Sequence, residues 1–175
     1  RAQVGYVAQK AHMFKGSIRS NICFGKPEAS DEEMHHAARV AQASDFISKR
    51  ENGYLDEIAE DGTNISGGQK QRLSIARVIL KKPSLYIYDD SFSALDFKTD
   101  ATLRKALKPE VEDAIFFVVA QRISTIMDSD MIIVLDEGQI IGLGTHLELL
   151  KNCSVYQEIA HSQLTQKELD DYERN

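Results

Sequence analysis

The chain has 175 residues, of which 42% are hydrophobic and 27% are charged, and its formal net charge is -6. This composition predicts one globular domain with an apolar core and argues against intrinsic disorder. The acidic balance argues against a broad surface for phosphate backbones, so we expect no nucleic-acid partner. The longest apolar runs, at 115–120 and 131–135, are far shorter than the roughly 20 residues that span a bilayer, and they predict buried strands.

The chain begins with Arg1 and continues almost directly into a strand-like stretch at 3–8. These features lead us to expect a fragment of a longer protein. Its only cysteines, Cys23 and Cys153, lack metal-ligand spacing and predict two reduced thiols in a cytosolic domain.

A helical segment follows the first strand and its loop. Ser30 and Glu33 are spaced as a capping box, in which each side chain satisfies a free amide at the helix start. The pattern predicts a helix over 31–43 and a shorter one over 45–49. Residues 16–65 are therefore expected to form a small helical insertion.

A second strong helix opens at Gly67 and Gly68 and is ended by Pro83. Apolar residues around most of its girth predict a largely buried helix, from which Arg77 points to solvent. The nearly continuous apolar run 85–88 then predicts a central strand covered on both faces.

This strand delivers two acidic residues, Asp89 and Asp90, at its carboxyl end. The remaining predicted elements are a helix at 98–107, a strand at 115–120, a helix near Ser124, and a hairpin of 131–135 with 139–142 that turns at Asp136-Glu137-Gly138. Strands that alternate with helices indicate an α/β fold whose chemistry lies at the carboxyl ends of the strands.

The glycine pair at the start of the second strong helix is a candidate anion site. Gly67 and Gly68 let the backbone approach an anion closely, while the unpaired N-terminal amides and the helix dipole favour negative charge. Ser66 adds a hydroxyl donor. The glycines alone would also fit an ordinary helix start, but the full string from Ser66 to Arg72 favours the functional interpretation.

The string Asn64–Arg72 resembles the signature motif of ATP-binding cassette (ABC) ATPases, with Ile65 where family members usually carry Leu. The resemblance implies an α/β fold of partial P-loop NTPase type, with a central, mainly parallel sheet flanked by helices. The parts it implies are a helical subdomain at about 16–65, a catalytic core at 1–15 and 66–164, and a polar tail at 165–175.

In the family, the signature motif reaches across a dimer to the γ-phosphate of ATP held by the partner. The resemblance therefore implies that Ser66, Gly67, Gly68 and Gln69 bind nucleotide. The string Ser93-Ala94-Leu95-Asp96 matches the family's D-loop, which crosses the dimer interface, and Asp96 is expected to serve the nucleotide sites.

Two further positions match the family's metal-binding elements. Asp89 resembles the Walker B aspartate, whose carboxylate holds Mg²⁺ beside the phosphates. Gln9 matches the Q-loop glutamine, which contacts Mg²⁺ and the attacking water and lies against the membrane domain. The cofactors implied by the resemblance are ATP and Mg²⁺.

Two catalytic positions depart from the family pattern. The general base is usually a glutamate, but the chain has Asp90, whose carboxylate is shorter by one methylene, roughly 1.5 Å. A misplacement of that order can cost about 100-fold in rate. The usual switch histidine is replaced by Gln121, whose amide does not titrate and cannot shuttle a proton. This combination resembles the degenerate subunit of heterodimeric ABC exporters.

The 175 residues contain no GxxxxGK followed by Ser or Thr, the loop that cradles nucleotide phosphates. We therefore expect the N-terminal part of the domain, with this loop, to be missing and the chain alone to hydrolyse ATP negligibly. In the intact protein, the resemblance implies an ATPase whose partners are a second ABC ATPase domain, expected to be a different subunit, and the exporter's transmembrane domains.

Two segments favour an exporter over an importer. Residues 14–22 resemble the exporter sequence after the Q-loop, and 57–62 resemble the exporter X-loop, with Ala59 and Asp61 in place of the usual Gly and Arg. The implied location is the cytoplasmic face of the cell membrane. A soluble ABC ATPase of translation or DNA repair and a non-enzymatic folded piece are the alternatives.

Overall fold

The computed structural model describes residues 3–165 and divides the chain into two compact units, Arg1–Val119 and Ala120–Asn175. Of the predicted polar tail, residues 166–175 lie outside the described part. The division into a helical subdomain at 16–65 and a core around it stays a prediction.

The described elements follow in chain order. In the first unit they are β1 (Val4–Val7), β2 (Gly16–Ser17), α1 (Ile18–Ile22), α2 (Asp31–Val40), α3 (Ser44–Ile47), β3 (Glu57–Ile58), α4 (Gly67–Lys81), β4 (Leu85–Asp89), α5 (Phe97–Leu107) and β5 (Ile115–Val119). In the second unit they are α6 (Ile123–Ile126), β6 (Ile132–Asp136), β7 (Gln139–Gly144), α7 (His146–Asn152) and α8 (Ser154–Gln163).

A three-stranded parallel sheet organises the first unit. Its order is β1-β4-β5, so β4 is central, as predicted, and Asp89 and Asp90 lie at its carboxyl end. Helix α4 packs against one face of this sheet, where a Cβ added to Gly5 would lie 2.4 Å from a methyl carbon of Val78. Parallel strands flanked by helices give the α/β architecture expected from the alternating pattern.

The two faces of the sheet differ in burial. Tyr86 and Tyr88 on the α4 side are fully buried, whereas Ile115 on the opposite side is 68% exposed. The prediction of buried strands is therefore wrong for β5, and the prediction that β4 is covered on both faces is also wrong. The physical reason is that α4 covers one side, so successive residues alternate between core and solvent.

Helix α2 begins with the predicted capping box: Ser30 Oγ accepts from the Glu33 amide, and the Glu33 carboxylate accepts from the Ser30 amide. It ends at Val40, earlier than predicted. Gln42 adopts a left-handed φ of 56°, and the Ala43 amide donates to the Ala38 carbonyl over 2.8 Å. This local closure at the helix end satisfies backbone groups that further helical turns would otherwise use.

Helix α4 is largely buried, as predicted, but Arg77 does not point freely into solvent. Its guanidinium lies 5.2 Å from the ring centroid of Phe14 and 5.7 Å from that of Phe24, and its Nε donates to the Asn21 carbonyl over 2.8 Å. Burial lowers the pKa of Arg77 to about 10. The apolar stem and the planar head of arginine allow it to pack and hydrogen-bond where a short polar residue could not.

The second unit contains the predicted β-hairpin. Strands β6 and β7 are antiparallel, and Glu137 and Gly138 turn with φ values of 45° and 78°. Only alternate residues of β6 are buried, so the predicted buried strand is half-buried. Behind it, buried His146 is hydrogen-bonded through Nδ1 to the Tyr156 hydroxyl over 2.7 Å.

No helix within residues 3–165 combines the length and the apolar character that crossing a bilayer requires.

Candidate nucleotide site

Two carboxylates at the end of β4 accept hydrogen bonds from a side chain of β1 and from Gln9, two residues beyond the end of β1. The Tyr6 hydroxyl donates to Asp89 Oδ2 over 2.7 Å. The Gln9 amide nitrogen donates to Asp90 Oδ2 over 3.0 Å. The structure therefore brings together three residues singled out from the sequence, Gln9, Asp89 and Asp90, and adds Tyr6, which the sequence analysis missed.

The backbone at Asp90 makes a sharp turn as the strand ends. Its φ is 43°, in the left-handed region that Asp tolerates better than most residues. The Asp90 amide donates to the Val119 carbonyl over 2.8 Å, and the Ser93 hydroxyl donates to the Asp90 carbonyl over 2.7 Å. These bonds fix the direction of the shorter carboxylate, whose residue is almost fully buried.

A second residue missed from the sequence positions the Q-loop glutamine. Gln71 of α4 is 1% exposed and donates its amide to the Ala8 carbonyl over 3.0 Å, directly before Gln9. A carbonyl that accepts a hydrogen bond from a buried side chain is held in one orientation. The signal that could have found Gln71 is an amide among the apolar residues of a helix predicted to be buried.

The donor set at the end of β4 suits magnesium. Within residues 3–165, no group of three or more His, Cys, Asp or Glu side chains could hold a metal ion. Mg²⁺ is bound in many sites through one or two carboxylates together with substrate phosphates and water. Half-exposed Asp89 supplies one carboxylate, and Gln9 offers its amide oxygen while its nitrogen donates to Asp90.

The signature segment starts α4 with a second capping box. Ser66 Oγ accepts from the Gln69 amide over 3.2 Å, and Gln69 Oε1 accepts from the Ser66 amide over 3.1 Å. The side chains of both residues thus stabilise the helix start itself. The Ser66 hydroxyl proton remains a possible donor to an anion, because the capping bond uses the oxygen as an acceptor.

The two signature glycines have different surroundings. A Cβ on Gly68 would lie 3.3 Å from the Ala94 carbonyl oxygen, so this position permits close packing against the D-loop. A Cβ on Gly67 would meet nothing within 4 Å. Gly67 therefore leaves open space at a helix N-terminus, where amides and dipole favour an anion such as a nucleotide phosphate.

Asp96 has a structural role that the sequence analysis did not predict. It is the N-cap of α5, and its two carboxylate oxygens accept from the Thr99 amide over 2.9 Å and the Thr99 hydroxyl over 2.7 Å. These hydrogen bonds hold the pKa of Asp96 below its ordinary value. A role of Asp96 toward nucleotide stays a prediction.

Gln121 belongs to the second unit and lies between β5 and α6. Its carbonyl accepts from the Gln163 amide over 2.8 Å, while Gln163 Oε1 accepts from the Ile123 amide over 2.9 Å. Gln163 thereby fixes the backbone on both sides of Arg122. The backbone direction at Gln121 is set by α8, which the sequence pattern around it does not reveal.

The parallel sheet, the acidic residues after its central strand and the helix that begins at Gly67 agree with the expected ATP-binding domain of ABC type. Comparison with known proteins agrees, because residues 1–93 match the family model described as ABC transporter. The chain belongs to the ABC transporter family.

Several relatives show how much of a longer protein the chain represents. It is 43% identical over 163 residues to the uncharacterized ABC transporter ATP-binding protein YfiB of Bacillus subtilis (strain 168), covering 93% of this chain and 28% of that protein. It is 45% identical over 159 residues to the putative multidrug export ATP-binding/permease protein YgaD of the same strain, covering 91% and 27%. The chain thus spans less than a third of the length of these relatives.

A solved structure of a bacterial Atm1-family ABC exporter with ATP bound has the same fold. Its TM-score is 0.89 at 37% sequence identity, and the match covers 95% of this chain and 29% of that one. The likeness confirms the predicted ABC-type α/β fold.

Proposed function

We propose that this chain is the C-terminal part of the ATP-binding domain of an ABC exporter, which couples the binding and hydrolysis of MgATP to export at the cytoplasmic face of the membrane. The observation that carries the proposal is the start of α4, where Ser66 caps the helix and Gly67 leaves room for a phosphate. The name of the multidrug export relative YgaD supports an exporter of drug-like molecules.

Each of the predicted site residues has a distinct task in this proposal. Asp89 would hold Mg²⁺, which would supply positive charge beside the nucleotide phosphates. Asp90 accepts a proton from the attacking water, and Gln9 orients its carboxylate through the 3.0 Å hydrogen bond. Gln121 donates a hydrogen bond toward the γ-phosphate. The nucleotide held by a second ABC ATPase domain is bound by the signature residues Ser66, Gly67, Gly68 and Gln69.

An exposed aromatic surface supports a membrane partner. The rings of Phe14 and Phe24 stack with centroids 4.3 Å apart, and both side chains are exposed. Arg77 lies against both rings and holds the backbone of the segment through the Asn21 carbonyl. An exposed aromatic pair that begins in the exporter-like segment and ends two residues beyond it suits contact with the cytoplasmic ends of transmembrane domains.

The nucleotide site on this chain is proposed to be degenerate, while a different partner subunit supplies the competent one. We expect the double variant Asp90→Glu, Gln121→His to raise hydrolysis at this site, by up to about 100-fold, because the longer carboxylate and a titratable ring restore base and proton shuttle. Single-turnover hydrolysis in the intact, assembled protein measures it. Turnover at this site that stays unchanged in the double variant would contradict the degenerate-site proposal.

The 175-residue chain by itself is expected to hydrolyse ATP negligibly, because its sequence holds no phosphate-binding loop. Steady-state phosphate release by the purified chain, compared with that of the intact protein, measures this. A comparable turnover would show that the residues present suffice for the chemistry.

A further inference from the structure

Tyr6 reaches the proposed metal site from the neighbouring strand. In the β1–β4 register Tyr6 pairs with Ile87, so its side chain leaves the sheet on the face that also carries Asp89. The hydroxyl donates to Asp89 Oδ2 over 2.7 Å. This is a short, charge-assisted hydrogen bond, which restricts the carboxylate more strongly than a bond between neutral groups does.

The contact is not explained by packing or by the needs of the sheet. Tyr6 is 54% exposed in this chain, so among residues 3–165 no close-packed surroundings force its ring toward Asp89. The strands β1 and β4 are already joined by a continuous parallel register from Val4 with Leu85 to Val7 with Tyr88. The phenol hydroxyl is thus an addition to a sheet that is complete without it.

A carboxylate that binds a metal works best when its rotamer is fixed. Hydrogen bonds from outer-shell residues orient ligating carboxylates, and losing them typically weakens metal binding by about 10- to 100-fold. With Oδ2 of Asp89 accepting from Tyr6, Oδ1 is the oxygen left to face a cation.

We propose that Tyr6 is a positioning residue of the magnesium site, holding one oxygen of Asp89 so that the other faces the metal of the bound nucleotide. The inference rests on the proposed role of Asp89 as the metal-binding carboxylate. Tyr6 does not touch the nucleotide or the reacting atoms in this arrangement; it acts through Asp89.

The test uses the intact protein that carries this chain, purified in its assembled form. Mn²⁺ is titrated in the presence of ATP, and bound Mn²⁺ is followed by electron paramagnetic resonance, with nucleotide binding in the absence of metal measured separately. Tyr6→Phe removes only the exposed hydroxyl. Tyr54→Phe is the matched control, because Tyr54 is a half-buried tyrosine in the helical segment whose ring lies 4.6 Å from that of His35.

Asp89→Asn identifies the Mn²⁺ that belongs to this chain's site, and Tyr6→Phe is also made in that background. We expect Tyr6→Phe to weaken this Mn²⁺ by about 10-fold or more, with metal-free ATP binding unchanged, no effect of Tyr54→Phe, and no further loss in the double variant. Unaltered Mn²⁺ affinity in Tyr6→Phe, or an equal loss in Tyr54→Phe, overturns the role of Tyr6 while leaving the magnesium site in place. If Asp89→Asn also leaves Mn²⁺ binding unchanged, the proposed role of Asp89 fails together with that of Tyr6.

Discussion

The start of α4 and the carboxyl end of β4 differ in what holds them in place. At the start of α4, Ser66 and Gln69 cap the helix, and Gly67 faces open space. The groups proposed to meet an anion there are backbone amides, whose positions follow from the helix. At the end of β4, the proposed functional groups are the carboxylates of Asp89 and Asp90, which accept hydrogen bonds from Tyr6 and Gln9.

This difference explains how one region can match the family pattern while the other departs from it. A backbone site requires only a cap, small residues and a helix, and the chain keeps all three at Ser66–Gln69. A side-chain site depends on the length of each side chain, so the change from Glu to Asp90 moves the reactive atoms by roughly 1.5 Å. The two regions can therefore contribute unequally to two nucleotide sites.

The largest expected effect comes from filling the open space at the start of α4. Gly67→Asp places a carboxylate where a phosphate is proposed to lie, and we expect the ATPase rate of the assembled protein to fall by at least about 100-fold. Folding should persist, because a Cβ at this position meets nothing within 4 Å and Asp is favourable in the first turn of a helix.

Gly67→Ala is the matched control, since it adds a methyl group without charge and should have a much smaller effect. Thermal unfolding shows whether either variant is misfolded. A Gly67→Asp variant that is folded and retains full activity would contradict the proposed phosphate site, because the start of α4 would then have no part in hydrolysis.

The next effect concerns the hydrogen bond that links α4 to the chain directly before Gln9. Gln71→Leu removes a buried amide that donates to the Ala8 carbonyl, and we expect the lost hydrogen bond to lower the free energy of unfolding by about 1–2 kcal/mol. Urea unfolding of the chain measures it. Gln157→Leu is a control of the same chemistry, because Gln157 donates to the Leu150 carbonyl from a more exposed position; a loss as large in this control would show that burial at Gln71 is irrelevant.

The smallest effect separates capping from nucleotide binding at the signature. Ser66→Ala and Ser30→Ala each break a capping box, so each should lower the free energy of unfolding by about 1 kcal/mol. Only Ser66→Ala is expected to weaken the nucleotide-dependent association of the ATPase domains, measured by light scattering or cross-linking. Equal behaviour of the two variants in that assay would mean that Ser66 acts purely as a helix cap.

Local patterns in the sequence predicted the elements near the site well. The capping box predicted at Ser30 is present, and α4 begins at Gly67 as predicted, whereas the capping box at Ser66 was not predicted; each box lies within four consecutive residues, so nearby chemistry is enough to set the helix starts. The apolar run after Pro83 predicted β4 and the position of Asp89. The helix starting at 31 ends earlier than predicted, because its end depends on the left-handed turn at Gln42.

Burial and side-chain partners were harder to predict. An apolar run such as 115–119 is compatible with burial on one face or on two, and the outcome depends on which elements pack against the sheet. Arg77 was expected to be exposed because it is charged, but its partners Phe14, Asn21 and Phe24 are more than 50 residues away in the chain.

The sequence by itself determined the family, the ABC-type α/β fold, the helix start at Ser66–Gly68 and the two departures at Asp90 and Gln121. These follow from residue types at fixed short spacings. Only the tertiary structure decided that Tyr6 holds Asp89 and that Gln9 holds Asp90. Those contacts join residues 81 to 83 positions apart, and strand pairing creates them, because β1 and β4 become neighbours only when the parallel sheet forms.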